Sequence, residues 1–471
     1  LTARGVHRGL LATTLVALLA ACGGGGGGGG GGDSGAGGPP TLPPTYVSSG
    51  KAAAGETMAV LWEWPWLDVA QACETSLASA GYGAVLVSAP NEHAVIAGFP
   101  WTQRYQPVSY RLDRTRTGSG AEFAAMVARC RASGVDVLVD AVINHMAADA
   151  GVNGQGSAGN AYQKYSYPAV PYLRTDFHPS CAVSNYQDAN NVQNCELLGL
   201  PDLRTDDAAV RRKIADYLVA LNQLGVRGFR VDAAKHVAPV ELDGIIALVN
   251  AAATSAGRAV PYYFLEVIGN GGEAVTPQQY YGVGYGSGGV SDTTEFQATY
   301  ALSDAFLGRN GRNLAGLSTF GSGLLPADKA LVFVANHDTE RSSLIHYGDG
   351  AAYRLAQLFL LAHPYGFPAV HSGYAFSRTT QAERERGPLS DAAGTTLRVF
   401  PEGGGQALWQ GASGCAPGTA LAAYRWTCDH EAYAEFVRLR RHAAGAPLSQ
   451  WQSAGPNRIA FARTGKAFVA L

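Results

Sequence analysis

The sequence predicts an α/β fold: a closed (β/α)8 barrel with a small inserted domain after its third strand and the start of a β-domain at its C-terminal end. Three observations predict it. From residue 57 onward, short apolar runs alternate with longer amphipathic stretches, the pattern of parallel strands joined by helical crossovers. The runs count to eight, which favours closure over an open sheet. Ionisable residues gather where the runs end, on what would be the functional rim of a parallel barrel.

The apolar runs are Met58–Trp64, Ala84–Ala89, Val135–Val142, Gly228–Val231, Tyr262–Val267, Leu331–Ala335 and Gly366–His371, with an eighth near Gly289–Glu295. Their near-continuous hydrophobicity suits strands buried on both faces, as in a TIM barrel. Ala121–Ser133 and Val210–Leu224 carry helical periodicity. Between about Met146 and Asp202 the rhythm breaks into Gly, Asn, Tyr and Pro, with two cysteines and no helical period. That length exceeds an ordinary loop, so 146–204 is assigned to an inserted domain. After a helical stretch at Tyr433–His442, Asn457–Ala462 and Lys466–Leu471 read as two strands around a Thr464–Gly465 turn. The barrel is thus assigned to 51–145 and 205–445, and an incomplete β-domain to 446–471.

The first residues read as an export signal over 1–22. Arg4, His7 and Arg8 precede an apolar run from Leu10 to Ala21, too short to remain as a spanning helix. The ending Leu19-Ala20-Ala21-Cys22 resembles the lipobox of bacterial lipoproteins, in which Cys22 would carry the lipid. Gly23–Gly32 and the Ser, Gly and Pro that follow form a tether over 23–50. The expected location is therefore the cell envelope or outer surface, or the medium, with the membrane reached only through Cys22. Six further cysteines, an even number, fit disulfides in an oxidising compartment, although fifteen pairings are possible.

Charged residues make up 15% of the chain and the net charge is −2, with no basic block, so nucleic acid is excluded as the main partner. The 22 Tyr and 7 Trp serve either core packing or stacking on sugar faces, and composition does not choose between them.

Four clusters end four strands: Asp140 to Asn144 and His145; Arg230, Asp232, Lys235 and His236; Glu266; and Asn336, His337 and Asp338. Arg230 and Asp232 are two apart on a strand and share a face, so the guanidinium favours the ionised carboxylate that a nucleophile needs. Glu266 follows Tyr262–Leu265 in an apolar setting, which is expected to raise its pKa and keep a proton for a leaving group. An ionised and a protonated carboxyl together are the machinery of glycoside hydrolysis; retaining enzymes hold the pair about 5–5.5 Å apart.

These clusters resemble the four signature regions of the alpha-amylase family, glycoside hydrolase family 13. The likeness extends to Trp62-Glu63-Trp64, Gln106–Tyr110, Cys195–Leu203 and His363–Phe367, and resembles animal-type and actinobacterial members from about Thr57 to Leu471. It implies endo-acting hydrolysis of alpha-1,4 bonds in starch, glycogen and related glucans by a retaining double displacement. Asp232 would be the nucleophile, Glu266 the general acid/base and Asp338 the third carboxylate, with Arg230 holding Asp232 charged. His145 and His337 would bond sugar hydroxyls, Trp101, Tyr105 and Gln106 would line the subsites, and Lys235 and Tyr186 would make outer contacts. The resemblance also implies a structural calcium held by Asn144, Asp202 and the backbone carbonyls of Gln193 and His236, which are hard oxygen ligands. It implies disulfides Cys73–Cys130, Cys181–Cys195 and Cys415–Cys428, and a monomer.

The sequence departs from the family at three points. Ala369 stands where many animal-type members place a second basic chloride ligand beside the equivalents of Arg230 and Asn336, so no chloride requirement is expected. Thr102 replaces a subsite aromatic next to Trp101. The loop after Asp338 is short and lacks a glycine-rich stretch. Two other readings stay open: an exo-acting maltooligosaccharide-forming enzyme or transglycosylase, and a surface glucan-binding lipoprotein without catalysis.

Overall fold

The computed structural model describes residues 45–148, 151, 154–400 and 426–471. The export signal, Cys22, most of the tether and Cys415 lie outside the described residues.

Eight parallel strands close into a barrel in chain order. They are β1 (Met58–Leu61), β2 (Ala84–Val87), β3 (Asp136–Ala141), β4 (Gly228–Val231), β5 (Tyr262–Leu265), β6 (Ser291–Thr294), β7 (Ala330–Val332) and β8 (Phe367–Ser372). Closure is made by β1 and β8, with Met58 opposite Ala369 on one side and Ala84 on the other. Side chains alternate as the pleat requires. On β4, Phe229 and Val231 join the outer core against the helices, leaving Arg230 for the interior face. Met58, Leu86, Leu138, Phe264, Leu331, Phe333 and Phe367 fill the barrel. Gly228 is required by packing, since a Cβ there would lie 2.5 Å from the Tyr262 carbonyl oxygen.

The strand β6 gave the weakest signal because it reads Ser-Asp-Thr-Thr. Oδ2 of its buried Asp292 accepts from Ser49 Oγ at 2.6 Å and Tyr262 OH at 2.7 Å, while Oδ1 has no hydrogen-bond partner. Ser49 belongs to a segment that packs beneath the barrel: Tyr46 meets Tyr281 edge-on, and Lys51 Nζ lies 4.7 Å over the Tyr262 ring. The last residues assigned to the tether thus cover the N-terminal mouth of the barrel.

The helices form the outer ring: α1 (Trp66–Ala72), continued by a wider turn through Cys73–Leu77, α2 (Gly120–Ala132), α3 (Ala208–Leu224), α4 (Pro239–Ser255), α5 (Phe296–Leu307), α6 (Ala351–Ala362) and α7 (Ala434–His442). Local chemistry sets their ends. Ser119 and Glu122 form a reciprocal capping box at α2, Asp207 caps α3, and Pro239 opens α4. Disulfide Cys73–Cys130 ties the α1 extension to α2, and Cys181–Cys195 closes a loop in the segment between β3 and α3. Among the described residues no helix is long and apolar enough to cross a membrane.

After α7 comes an antiparallel sheet of three strands, β9 (Leu448–Ser453), β10 (Ile459–Arg463) and β11 (Ala467–Ala470), where the sequence reading found two. The missed strand β9 is largely solvent-facing, and its register is broken between Ser449 and Gln452, with Gln450 at φ 52°. Buried Arg463 fastens this sheet to the barrel, donating to the carbonyls of Ala446 (2.8 Å), Ala362 (3.0 Å) and Ala443 (2.7 Å). Replacing it removes a donor from three buried carbonyls, of which Ala443 keeps a second bond from the Ala446 N–H at 3.1 Å. The variant Arg463→Met should lose ~3 kcal/mol of unfolding free energy, seen as a lower urea midpoint at unchanged slope.

Candidate active site

The geometry centres on Arg230. The guanidinium donates from Nη1 to Asp140 Oδ1 (2.6 Å) and Asp232 Oδ1 (2.9 Å), and from Nη2 to Glu266 Oε1 (2.6 Å). Three consecutive strands supply these groups: Asp140 near the end of β3, Arg230 on β4 with Asp232 just past it, and Glu266 just past β5. Asp338, beyond β7, faces the same space, its Oδ2 3.3 Å from His337 Nε2. Three carboxylates therefore share the Arg230 guanidinium, with Asp338 facing both it and Arg341.

The expected apolar setting of Glu266 is not what the fold provides. Besides Arg230, its Oε2 accepts from the Ala233 backbone N–H at 2.9 Å. The chain turns sharply after β4, with Ala233 at φ 49°, and this brings that N–H inward. Nor does Arg230 alone set the state of Asp232. Burial pushes the Asp232 carboxyl well up, opposed by Arg230 but reinforced by Glu266, Asp140 and Asp338. Burial raises Asp140 as well. Crowded carboxylates keep a proton among them, as like charges in a dry site must.

The wall beside this cluster is aromatic. Tyr105 OH donates to Asp140 Oδ2 (3.0 Å) and accepts from Trp62 Nε1 (3.2 Å). The His337 ring stacks on Tyr105 at 5.1 Å and on Trp62 at 4.9 Å. Trp101 packs edge-on against Trp62, Tyr105 and His337. Burial, then the neighbouring Arg230, His371 and Arg341, lowers the His337 pKa well below its usual range, so this ring is neutral. His145 is also neutral, lowered to about 4 by burial. Its two ring nitrogens lie 2.9 Å from the Tyr105 carbonyl and 3.3 Å from Asn144 Nδ2, so it supports Tyr105 from behind. Gln106 accepts from the Ala148 N–H at 3.0 Å and anchors the start of the insert.

Lys235 and Tyr186 come together at the outer edge. The ammonium lies 4.9 Å over the Tyr186 ring and donates to Glu273 Oε2 (2.6 Å) and the Ile268 carbonyl (2.7 Å).

Of the four residues expected to hold calcium, Asn144 lies beside Asp202, and His236 beside Gln193. The backbone bridge His145–Asp202 joins β3's extension to the insert, and the Leu203 N–H bonds the Asn144 carbonyl. His236 Nδ1 lies 2.8 Å from the Val192 carbonyl, beside Gln193. Asp202 Oδ1 and Gln193 Oε1 are both buried without a hydrogen-bond partner. Burial pushes the Asp202 carboxyl up to about 7 although His178 donates to its other oxygen at 2.7 Å. A buried carboxylate oxygen left unpaired beside amide groups suits a hard cation. Among the described residues, no group of three or more His, Cys, Asp or Glu could hold a metal ion. The expected set is of another kind, one carboxylate with amide and carbonyl oxygens.

Several residues of the site had been given no role. Asp140, Trp62 and Glu273 are wired into it, and so is Arg341, three positions after Asp338. Asp140 was findable by the logic applied to Arg230 and Asp232, being a charged residue facing inward near a strand end.

An eight-stranded parallel barrel carries its active site on the C-terminal rim, and the carboxylates clustered there are the groups that glycoside hydrolysis uses. The model for the alpha amylase catalytic domain matches residues 100–249. An alpha-amylase of Tribolium castaneum is 41% identical over 433 residues, covering 89% of this chain and 82% of its own length. One from Thermomonospora curvata is 41% identical over 87% of this chain, which spans 62% of that protein. The crystal structure of a variant of alpha-amylase I from Eisenia fetida with maltohexaose superposes at a TM-score of 0.77, with 33% identity, 91% of this chain and 85% of that one. This chain belongs to the alpha-amylase family.

The raised proton affinity of Asp232 has a consequence for stability. A carboxyl that binds its proton more tightly folded than unfolded contributes fully only below its unfolded pKa, near 3.8, and loses that contribution as pH rises. Asp232→Asn should therefore melt higher than wild type at pH 8, with the advantage gone at pH 4, as calorimetry across that range would show.

Proposed function

We propose that the protein hydrolyses internal alpha-1,4 bonds of starch-like glucans with retention of anomeric configuration. The observation that carries this reading is the arrangement of Asp232, Glu266 and Asp338 around one guanidinium on the rim of the barrel.

Asp232 attacks the anomeric carbon as the glycosidic C–O bond breaks, and Glu266 delivers its proton to the departing oxygen. Both Asp232 and Glu266 contact Arg230, so charge leaving one carboxylate and appearing on the other stays within reach of the same cation. Water, deprotonated by Glu266, then releases the sugar from Asp232 and restores both groups. Asp338, half-buried at the mouth, and the neutral His337 ring face the reacting sugar and supply bonds that strengthen as the ring flattens. Tyr105 offers a ring face for sugar stacking.

Time-resolved digestion of soluble starch tests this. Wild type should lower viscosity before much reducing sugar appears and release mixed oligosaccharides early. A single short product from the start would instead favour the exo-acting reading. Asp232→Asn should lose about 10⁴-fold or more in kcat, and Glu266→Gln about 10³-fold. Wild-type turnover surviving in Asp232→Asn would remove Asp232 as nucleophile.

Calcium is proposed at Asn144, Asp202, Gln193 and His236, supported by the orphaned Asp202 Oδ1. Bound there, it would neutralise Asp202 and fasten the insert to the barrel. Chloride is not proposed as a cofactor: Ala369 presents only a methyl group to the space lined by Arg230 and Asn336. Chelation should lower the melting temperature of wild type and leave Asp202→Asn unmoved, while chloride at constant ionic strength should leave the rate unchanged. We also infer that the leader directs export and that Cys22 carries a lipid, on the strength of the Leu19–Cys22 sequence.

A further inference from the structure

Arg341 has an unusual environment for a charged side chain. It lies on the turn Thr339–Arg341 that follows Asp338, and it is only 7% exposed. Its guanidinium carbon sits 4.3 Å from the Phe376 ring centre, 4.6 Å from Trp101, 4.9 Å from Trp62 and 5.8 Å from Tyr374. Each nitrogen has an acceptor: Nη1 donates to the His337 carbonyl, Nη2 to Tyr374 OH at 2.8 Å, and Nε to the Arg384 carbonyl at 3.0 Å. Tyr374 in turn donates to the Arg386 carbonyl at 2.7 Å. Among the described residues, carbonyl and hydroxyl oxygens and ring faces meet this charge, where a buried cation more often finds a carboxylate.

Those contacts gather three parts of the site on one side chain, adding hydrogen bonds to the ring stacking of Trp62 on His337 and Tyr374. The three parts are the turn bearing His337 and Asp338, the aromatic wall of Trp62 and Trp101, and the loop 374–386 after β8. A planar fork with fixed donor directions can lock three such parts in one geometry, which a flexible ammonium cannot. Arg341 also turns back on its own segment, its N–H bonding the Asp338 carbonyl at 3.0 Å. The carbonyls on both sides of the Asp338 residue's N–H are thereby held by Arg341.

We propose that Arg341 is a positioning residue that fixes Asp338, His337 and the Trp101 wall as one unit for the reacting sugar. The proposal rests on the hydrolase reading above and extends it to a residue that touches no reacting atom. It also gives Arg341 an electrostatic part. Asp338 is faced by Asp140, Arg230, Asp232 and Glu266 from β3 to β5, by Tyr105, by His337, and by Arg341 on its own turn, with Glu340 and His371 close behind. Arg230 and Arg341 oppose the burial that raises the Asp338 carboxyl, so losing Arg341 moves the proton affinity of that cluster upward.

The test compares Arg341→Lys, Arg341→Met and Tyr374→Phe in the full chain. Arg341→Met should cut kcat on soluble starch about 100-fold, the order expected for small misplacement of a catalytic group, raise KM, and move the pH–rate profile to higher pH. Arg341→Lys keeps the charge without the fork, so kcat should fall about 10-fold while the pH profile stays near that of wild type. Tyr374→Phe removes one acceptor and should cost a few-fold. These orders follow if geometry and charge are separable at this site. Tryptophan emission needs no turnover: removing the guanidinium should shift it to longer wavelength as Trp62 and Trp101 open to water. Unchanged kcat, KM, pH profile and emission in a folded Arg341→Met would overturn the proposal. If Arg341→Met fails to fold, Arg341→Lys and Tyr374→Phe with wild-type kinetics and emission would overturn it equally. A wild type inactive on starch with the emission shift intact would sink the hydrolase reading and leave the brace standing.

Discussion

The active site depends on one constraint: several buried carboxylates must be held close together, and Arg230 is the cation that allows it. Removing four such groups from water without a counter-charge would cost far more than the site could recover. The guanidinium suits the task because its fork reaches three carboxylates at once, on residues from three adjacent strands. It reaches Asp140 and Asp232 through one nitrogen and Glu266 through the other. Parallel closure of the barrel supplies the geometry, with Asp140 opposite Arg230 in the β3–β4 register and Arg230 opposite Phe264 in the next.

Everything around that cluster controls orientation. Tyr105 bonds Asp140 and is itself steadied by Trp62 and His145, so the aromatic wall and the charged centre are parts of one hydrogen-bonded set. Packed against the same wall, Arg341 clamps the turn that carries Asp338. The segment between β3 and α3 closes the flank, where the buried Asp202 Oδ1 and Gln193 Oε1 have no hydrogen-bond partner. Cys73–Cys130 stiffens the outer ring and Cys181–Cys195 the insert.

Much of this was legible in the sequence because its signals are local. Strand runs such as Tyr262–Leu265 are apolar along their whole length, and the rhythm of eight survives even the polar β6. Arg230 and Asp232 share a face by simple period-two geometry, and Asn336 to Asp338 directly follow the apolar run Leu331–Ala335. What escaped depends on contacts between distant residues. The surroundings of Glu266 could not be read from its apolar neighbours, since its partners Arg230 and the Ala233 N–H come from the preceding strand. The part played by Arg341 depends on Tyr374, Phe376 and the Arg384 carbonyl, all more than thirty positions away. The strand β9 was lost because a bulge hides its alternation.

The central claim is that Asp232, held by Arg230, forms the covalent bond to the sugar. The most direct test is to incubate the protein with a fluorinated alpha-glucosyl trapping substrate and sequence the labelled peptide by mass spectrometry. The account predicts a single glycosyl adduct, on Asp232, with products of natural substrates released in the alpha configuration. An adduct on another residue, or beta products with no adduct, would contradict it.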